Sequence, residues 1–402
     1  MSAARGDAGL PGRYAILVLV LAAQTAANVG PLGIPAIAAL IREDLGLTLP
    51  QAGSFLSLYY IGPSLVSLPA GALADRWGIR RMLVTGQAVI GVGLLGVAAS
   101  RSYTAIAITL VAAGFGYGML NPTSTKAVIS WFPVRQRATV VGLKQVGLPF
   151  GGAVGAALLP LIALALGWRL AITAAALGLG VTAVALALFY RDPPVAPVPR
   201  GTSSPLREVL FTRDLWLVAL STLVFAGMQT VWMGYLVLYL RDVIGLSLVA
   251  AGGYLALAQG AGMAGRVAFG VLSDRVFDGR RRPTLLAAGV GSTLCSLGIA
   301  FSGPGSPAPW LMLLVLVFGF AGIGWNGVQH TLMAELAGPR AAGTALGFGL
   351  ALSSAGVTLA PPVFGWSVEL MGGYRGAWIG LALTMIAALA VLSAVRERPR
   401  MS

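Results

Sequence analysis

The sequence predicts an all-α membrane protein, with twelve transmembrane helices arranged as two pseudo-symmetric six-helix bundles. Three observations lead there. The chain of 402 residues is 57% hydrophobic and only 10% charged, with a mean hydropathy of +0.84; a soluble chain carries roughly 25% charged residues to cover its surface. Apolar runs of about 20 residues, the length that crosses a bilayer as a helix, recur from end to end. Motifs of the first half return in the same order in the second.

The first six spans fall at 14–40, 51–73, 80–99, 104–130, 138–164 and 168–190. The next six fall at 214–240, 248–273, 283–302, 309–335, 341–368 and 374–395. Most junctions are short. The exception runs from Arg191 to Arg213 and contains "RDPPVAPVPRGTSSP", whose proline, serine and charge mark a linker. The expected organisation is therefore a bundle at 1–190, a linker at 191–213 and a bundle at 214–402. The run after Tyr14 is too long for a cleavable signal and leads into more spans. Cys295, the one cysteine, cannot form a disulfide within the chain.

The net charge of +14 does not point to nucleic acid. It follows membrane orientation instead. With the N-terminus inside, cytoplasmic segments hold 19 arginines and the opposite loops five: Arg42, Arg101, Arg169, Arg241 and Arg375. That asymmetry places both termini in the cytoplasm.

The repeat is explicit. Shifted by 199, "REDLGLTLPQAG" from Arg42 lies on "RDVIGLSLVAAG" from Arg241, and Gly71, Asp75 and Arg76 lie on Gly270, Asp274 and Arg275. Shifted by 205, Asn121 meets Asn326, Arg135 meets Arg340 and Gly142 meets Gly347. Parallel repeats of this kind suit an alternating-access carrier with a site near the midplane.

"GALADRWGIRR" after span 2, with Gly71, Asp75, Arg76, Gly78, Arg80 and Arg81, resembles the signature loop of the major facilitator superfamily. It departs at Ile79, where that motif has a basic residue. The copy after span 8 keeps Gly270, Asp274 and Arg275 and has Phe277 in place of the second glycine. The resemblance implies that these loops gate the cytoplasmic side, that spans 1, 4, 7 and 10 line a central cavity, and that spans 5 and 8 meet between the halves. Asp75 suits such a role because a carboxylate accepts from a helix N-terminus or pairs with arginine.

Charge inside a span is costly and marks function. Lys144 lies seven residues past Arg137, roughly 10 Å deep, and Arg266 eight residues before Asp274, roughly 12 Å deep. Lys126 is shallower and can snorkel. No aspartate or glutamate lies at comparable depth, so the two deep cations call for a small anionic solute such as a carboxylate. "GRVAFGVLSDR" resembles the eighth span of carboxylate-transporting branches, which implies that Arg266 contacts substrate, and "KQVGLPFGG" resembles cyanate-permease-like members. The alternative is that Arg266 bonds backbone carbonyls and Lys144 reaches a loop. Gln24, Asn28, Asn121, Asn326 and Gln329 add neutral hydrogen-bonding groups within spans, as do Gln229 and Gln259. They serve either as ligands or as links between helices. His330, the one histidine, is a candidate for relaying a co-transported proton.

No metal cluster, nucleotide loop or nucleophile triad is visible, so neither an enzyme nor a cofactor is expected. The expected partners are the lipid bilayer and an anionic solute, with the chain a monomer in the inner membrane of a bacterium. The rival reading, a proton-coupled exporter of drugs or metabolites, generally needs an acid deep in the membrane.

Overall fold

The computed structural model describes residues 10–192 and 209–397, and their side chains except at 10–11, 67–76, 134–135, 137–139, 339–340 and 342–343. The described residues fold into helices α1 (Leu10–Leu45), α2 (Leu49–Gly53), α3 (Phe55–Trp77), α4 (Ile79–Ala99), α5 (Tyr103–Trp131), α6 (Val134–Leu166) and α7 (Trp168–Phe189). They continue with α8 (Arg213–Asp242), α9 (Leu248–Arg275), α10 (Arg282–Ala300), α11 (Ala308–Phe318), α12 (Asn326–Leu370) and α13 (Tyr374–Ser393). Eleven segments among the described residues are long and apolar enough to cross a membrane. The twelfth expected span is α3, whose described side chains run to Val66 and are apolar. The fold is the twelve-helix membrane bundle that the sequence predicts. The expected linker lies largely outside the described residues.

Local chemistry explains the departures from the expected spans. The second span starts as the short α2. Thr48 and Gln51 form a reciprocal cap, in which Gln51 N–H donates to Thr48 Oγ1 at 3.4 Å and Thr48 N–H to Gln51 Oε1 at 2.9 Å. Spans 10 and 11 run as nearly one element, since α12 passes through both and breaks only at Gly338, with φ 72° and ψ 170°. Pro339 follows, and a residue before proline is pushed out of the helical region. Glycine takes the left-handed angle without a Cβ clash.

Span 10 also holds a π-helical turn, Gly319–Ile323, between α11 and α12. A Cβ on Gly265 of α9 would stand 2.1 Å from the Phe320 carbonyl oxygen in that turn. The two backbones meet there because small residues let them.

In the first helix set α1 packs on α6 and α7, α4 on α5 and α7, and α3 on α5; in the second, α8 packs on α12, α10 on α13, and α9 on the π turn. The sets meet where α6 faces α9, α12 faces α2 and α3, and α1 faces α8. The termini lie at one end of the bundle, the terminal face, and the α1–α2 and α8–α9 turns at the other, the far face. Bonds between the sets lie from the far face to mid-depth. Arg42 Nη1 meets Asp242 Oδ2 at 2.9 Å, Arg241 Nη2 meets Glu43 Oε1 at 2.7 Å, and Ser57 Oγ donates to the Val357 carbonyl at 3.0 Å. Buried Tyr235 fills the same seam, donating to the Pro361 carbonyl at 2.8 Å beside Gly53 and Gly365.

Candidate functional site

Arg266 sits on α9 at the depth expected from the sequence. Its backbone is pinned against the other side of the π turn, where a Cβ on Gly324 would lie 3.1 Å from the Arg266 amide nitrogen. The residue is half-buried, and its Nε is buried without a hydrogen-bond partner. Its guanidinium lies within electrostatic reach of the Tyr60 and Tyr117 phenols, on α3 and α5 of the first set, and of His330 on α12. An unpaired nitrogen on a charged group inside a membrane protein is expensive. Facing phenols supply dipoles but no negative charge.

The phenols belong to a tyrosine cluster. Tyr59 lies 5.6 Å from both Tyr60 and Tyr117, and Tyr60 lies 6.3 Å from Tyr117, centroid to centroid. Gln24 on α1 fixes Tyr117, since Gln24 Nε2 donates to Tyr117 Oη at 3.2 Å and Ser124 Oγ donates to Gln24 Oε1 at 3.3 Å. Asn28 Nδ2 donates to the Gln24 carbonyl at 2.6 Å, which leaves its buried Oδ1 without a partner.

Lys144 on α6 is fully buried. Its ammonium donates to Asn121 Oδ1 at 2.7 Å, the Asn121 carbonyl at 3.2 Å and Thr125 Oγ1 at 3.2 Å. Three donors meet three neutral acceptors, all on α5. Lys144 therefore serves within the first set, while Arg266 reaches from the second set toward the first. Gln229 joins the second polar group, where its Oε1 accepts from Trp325 Nε1 at 3.1 Å and from Asn326 Nδ2 at 3.2 Å. Gln329 is buried with both amide atoms unpaired, beside Gly349 and Met333.

The loop residues separate from this centre. Gly71, Asp75 and Arg76 lie in the last turns of α3, and their side chains fall outside the described residues. Gly78, with φ 86°, starts α4. Asp192 Oδ1 there accepts the Arg80 N–H at 2.9 Å, and the Arg80 guanidinium also meets the Ala187 carbonyl. A Cβ on Gly270 would meet open space. Arg275 ends α9. Asp274 pairs with Arg281, whose guanidinium also bonds Ser273 Oγ at 2.8 Å and both Glu335 oxygens at 3.3 and 3.4 Å. Burial pushes the Arg281 pKa down, and the bonds to Asp274 and Glu335 outweigh that and raise it. Glu397 accepts the backbone N–H groups of Arg281 at 2.5 Å and Arg282 at 3.2 Å, at the start of α10.

Sequence reasoning did not single out Tyr117, Arg281, Asp192 or Glu397. Tyr117 had a signal, because Tyr117, Asn121, Ser124 and Thr125 fall at i, i+4, i+7 and i+8 and share one face of α5. Arg281 read as one more orienting arginine. The two acids followed the last spans of their halves and read as solvated ends.

Twelve apolar helices in two sets, closed at one end around a cationic polar centre, define a polytopic membrane carrier. The Major Facilitator Superfamily model matches residues 16–361, and the chain belongs to that family. It is 29% identical over 392 residues to a probable sulfoacetate transporter of Cupriavidus necator, covering 90% of this chain and 89% of that one. A hexuronate transporter of Bacillus subtilis is 26% identical over 376 residues, covering 89% of each chain. Among solved structures, a bacterial homolog of the human lysosomal transporter Spinster, in an inward-facing and unoccupied conformation, superposes with a TM-score of 0.79 at 18% identity, covering 96% of both chains. The protein is a transporter by family and not an enzyme.

Proposed function

We propose that the protein moves a small organic anion, a carboxylate or related monoanion, across the bacterial inner membrane by alternating access, with Arg266 as the anion anchor. One observation carries the reading: a guanidinium deep in a span, with a buried unpaired Nε, faces two phenols of the other helix set. An anion between them accepts from the guanidinium and from the phenolic O–H groups, and it ties the sets together where they must move. Bidentate geometry suits arginine to a carboxylate or sulfonate. Relatives named for sulfoacetate and hexuronate transport support the anionic class.

The halves are the bundles at 1–190 and 214–402, joined at 191–213. Both termini are cytoplasmic, so the far face is periplasmic. Its ion pairs make this an inward-facing state. Lys144 adds positive potential to the cavity from within α5 and α6, and Asn121 holds it there.

The test is acid binding by purified protein. Arg266→Ala should weaken affinity at least tenfold, the size expected for losing a charge-assisted hydrogen bond of about 1.5–3 kcal/mol. Arg266→Lys should not restore it. Binding by Arg266→Ala equal to that of the parent would remove the anchor assignment.

A further inference from the structure

We infer that the anion site has a second, uncharged pole at Gln259 and Asn28 that recognises a hydroxyl, so that the substrate is an acid bearing hydroxyl groups several carbons from its charge. The inference rests on the anchor reading above. Gln259 on α9 and Asn28 on α1 come from opposite helix sets and are fully buried. They converge on adjacent glycines of α6. A Cβ on Gly152 would stand 2.7 Å from Gln259 Nε2, and one on Gly151 would stand 2.9 Å from Asn28 Cβ. Both amide atoms of Gln259 and the Oδ1 of Asn28 lack a hydrogen-bond partner. Buried amides in native proteins are paired as a rule, and an exception needs an explanation.

The chemistry of what is missing selects the ligand. Two of the three unpaired atoms, Gln259 Oε1 and Asn28 Oδ1, are acceptors and require a donor. A carboxylate, a sulfonate or a halide offers none. A hydroxyl offers a donor and an acceptor together, and it satisfies both an amide oxygen and an amide N–H. Gln259 is seven residues before Arg266, two turns along one face of α9 and roughly 10 Å along its axis. Helical side chains lean toward the N-terminus, so the arginine leans toward Gln259 and shortens that gap. A hydroxylated chain of about six carbons then reaches from one pole to the other, whereas a two-carbon acid meets Arg266 alone.

The experiment uses D-gluconate and hexanoate, two six-carbon monocarboxylates that differ in their hydroxyls, with the purified full-length protein. The parent should bind gluconate about tenfold or more tightly than hexanoate, because a site with buried polar groups rejects the analogue that leaves them unpaired. Gln259→Leu, and separately Asn28→Leu, should reduce that preference to within about twofold while leaving hexanoate affinity unchanged. Gln259→Leu should not lower the melting temperature, since it removes an unpaired amide from a buried site. Gln259→Met serves the same purpose if the leucine variant does not fold. Equal binding of the two acids by the parent, or a preference that survives in the Gln259 variants, would mean that water alone satisfies these amides and would overturn the inference. Arg266→Ala separates the two readings. If it binds hexanoate as the parent does, the anchor is wrong whatever Gln259 does. A parent that binds neither acid overturns both.

Discussion

Lys144 donates from one ammonium to three neutral oxygens, and that arrangement predicts opposite outcomes for the two ends of the bond. Asn121→Leu would leave a buried charge short of its 2.7 Å acceptor and should destabilise the protein by about 3–5 kcal/mol, as breaking a buried charged contact does. Lys144→Met removes the charge with a side chain of similar length. It leaves only neutral acceptors behind and should cost under about 2 kcal/mol. Thermal unfolding of the two variants in one detergent compares them directly, and a larger loss for Lys144→Met would refute this account of the pocket. Both deep cations were legible in the sequence, because charge within an apolar run has few uses. Their division of labour was not. Depth can be counted along a helix, but Lys144 turns toward Asn121 and Arg266 toward Tyr60 and Tyr117 because of how helices rotate against one another. Tyr117 was hidden for a related reason, since an aromatic side chain in a span reads as packing until a charge is seen beside it.

Among the elements, the contact between α9 and the π turn is the most demanding. Gly265→Ala would place a Cβ 2.1 Å from the Phe320 carbonyl oxygen, whereas a Cβ on Gly253 of the same helix meets nothing within 4 Å. Gly265→Ala should therefore destabilise by roughly 1–3 kcal/mol through overpacking. Gly253→Ala should be neutral or should stabilise by up to about 1 kcal/mol, because alanine favours the helix over glycine. Melting temperatures of the pair test the contrast, and equal shifts would argue against close approach at Gly265. Deleting Gly322 should restore plain α-helical register upstream of Trp325 and Asn326. It would turn both away from Gln229 and reduce acid binding without unfolding the chain, which titration and circular dichroism would show. Twelve spans could be drawn from hydropathy, but the π turn could not. Hydropathy is indifferent to one extra residue per turn, and the glycines that permit the turn are frequent in every span. The Gly338 break was half visible through Pro339, although a loop was expected there rather than a single residue.

For the whole molecule, the far-face ion pairs are partly exposed, and each alone should contribute little. Their value lies in placement across the seam, where they oppose separation of the halves. Arg241→Glu places like charges at the Glu43 contact and should shift the population toward far-face opening. Adding Glu43→Arg should restore the closed state. Distances between spin labels on the loops after α4 and α10, at Arg101 and Ser306, would report this as a longer separation in the single variant and recovery in the double. A double variant as open as the single would show that the pair does not hold the seam. The repeat that matches Arg42 with Arg241 also matches Glu43 with Asp242. Arg42 meets Asp242 while Arg241 meets Glu43, so each position bonds the counterpart of its own neighbour. That is the reciprocity of an isologous interface, the kind formed by two copies of one subunit across a dyad. A single self-complementary patch, written twice in one chain, supplies both sides of the contact, and closure on itself leaves no side free to recruit a third unit.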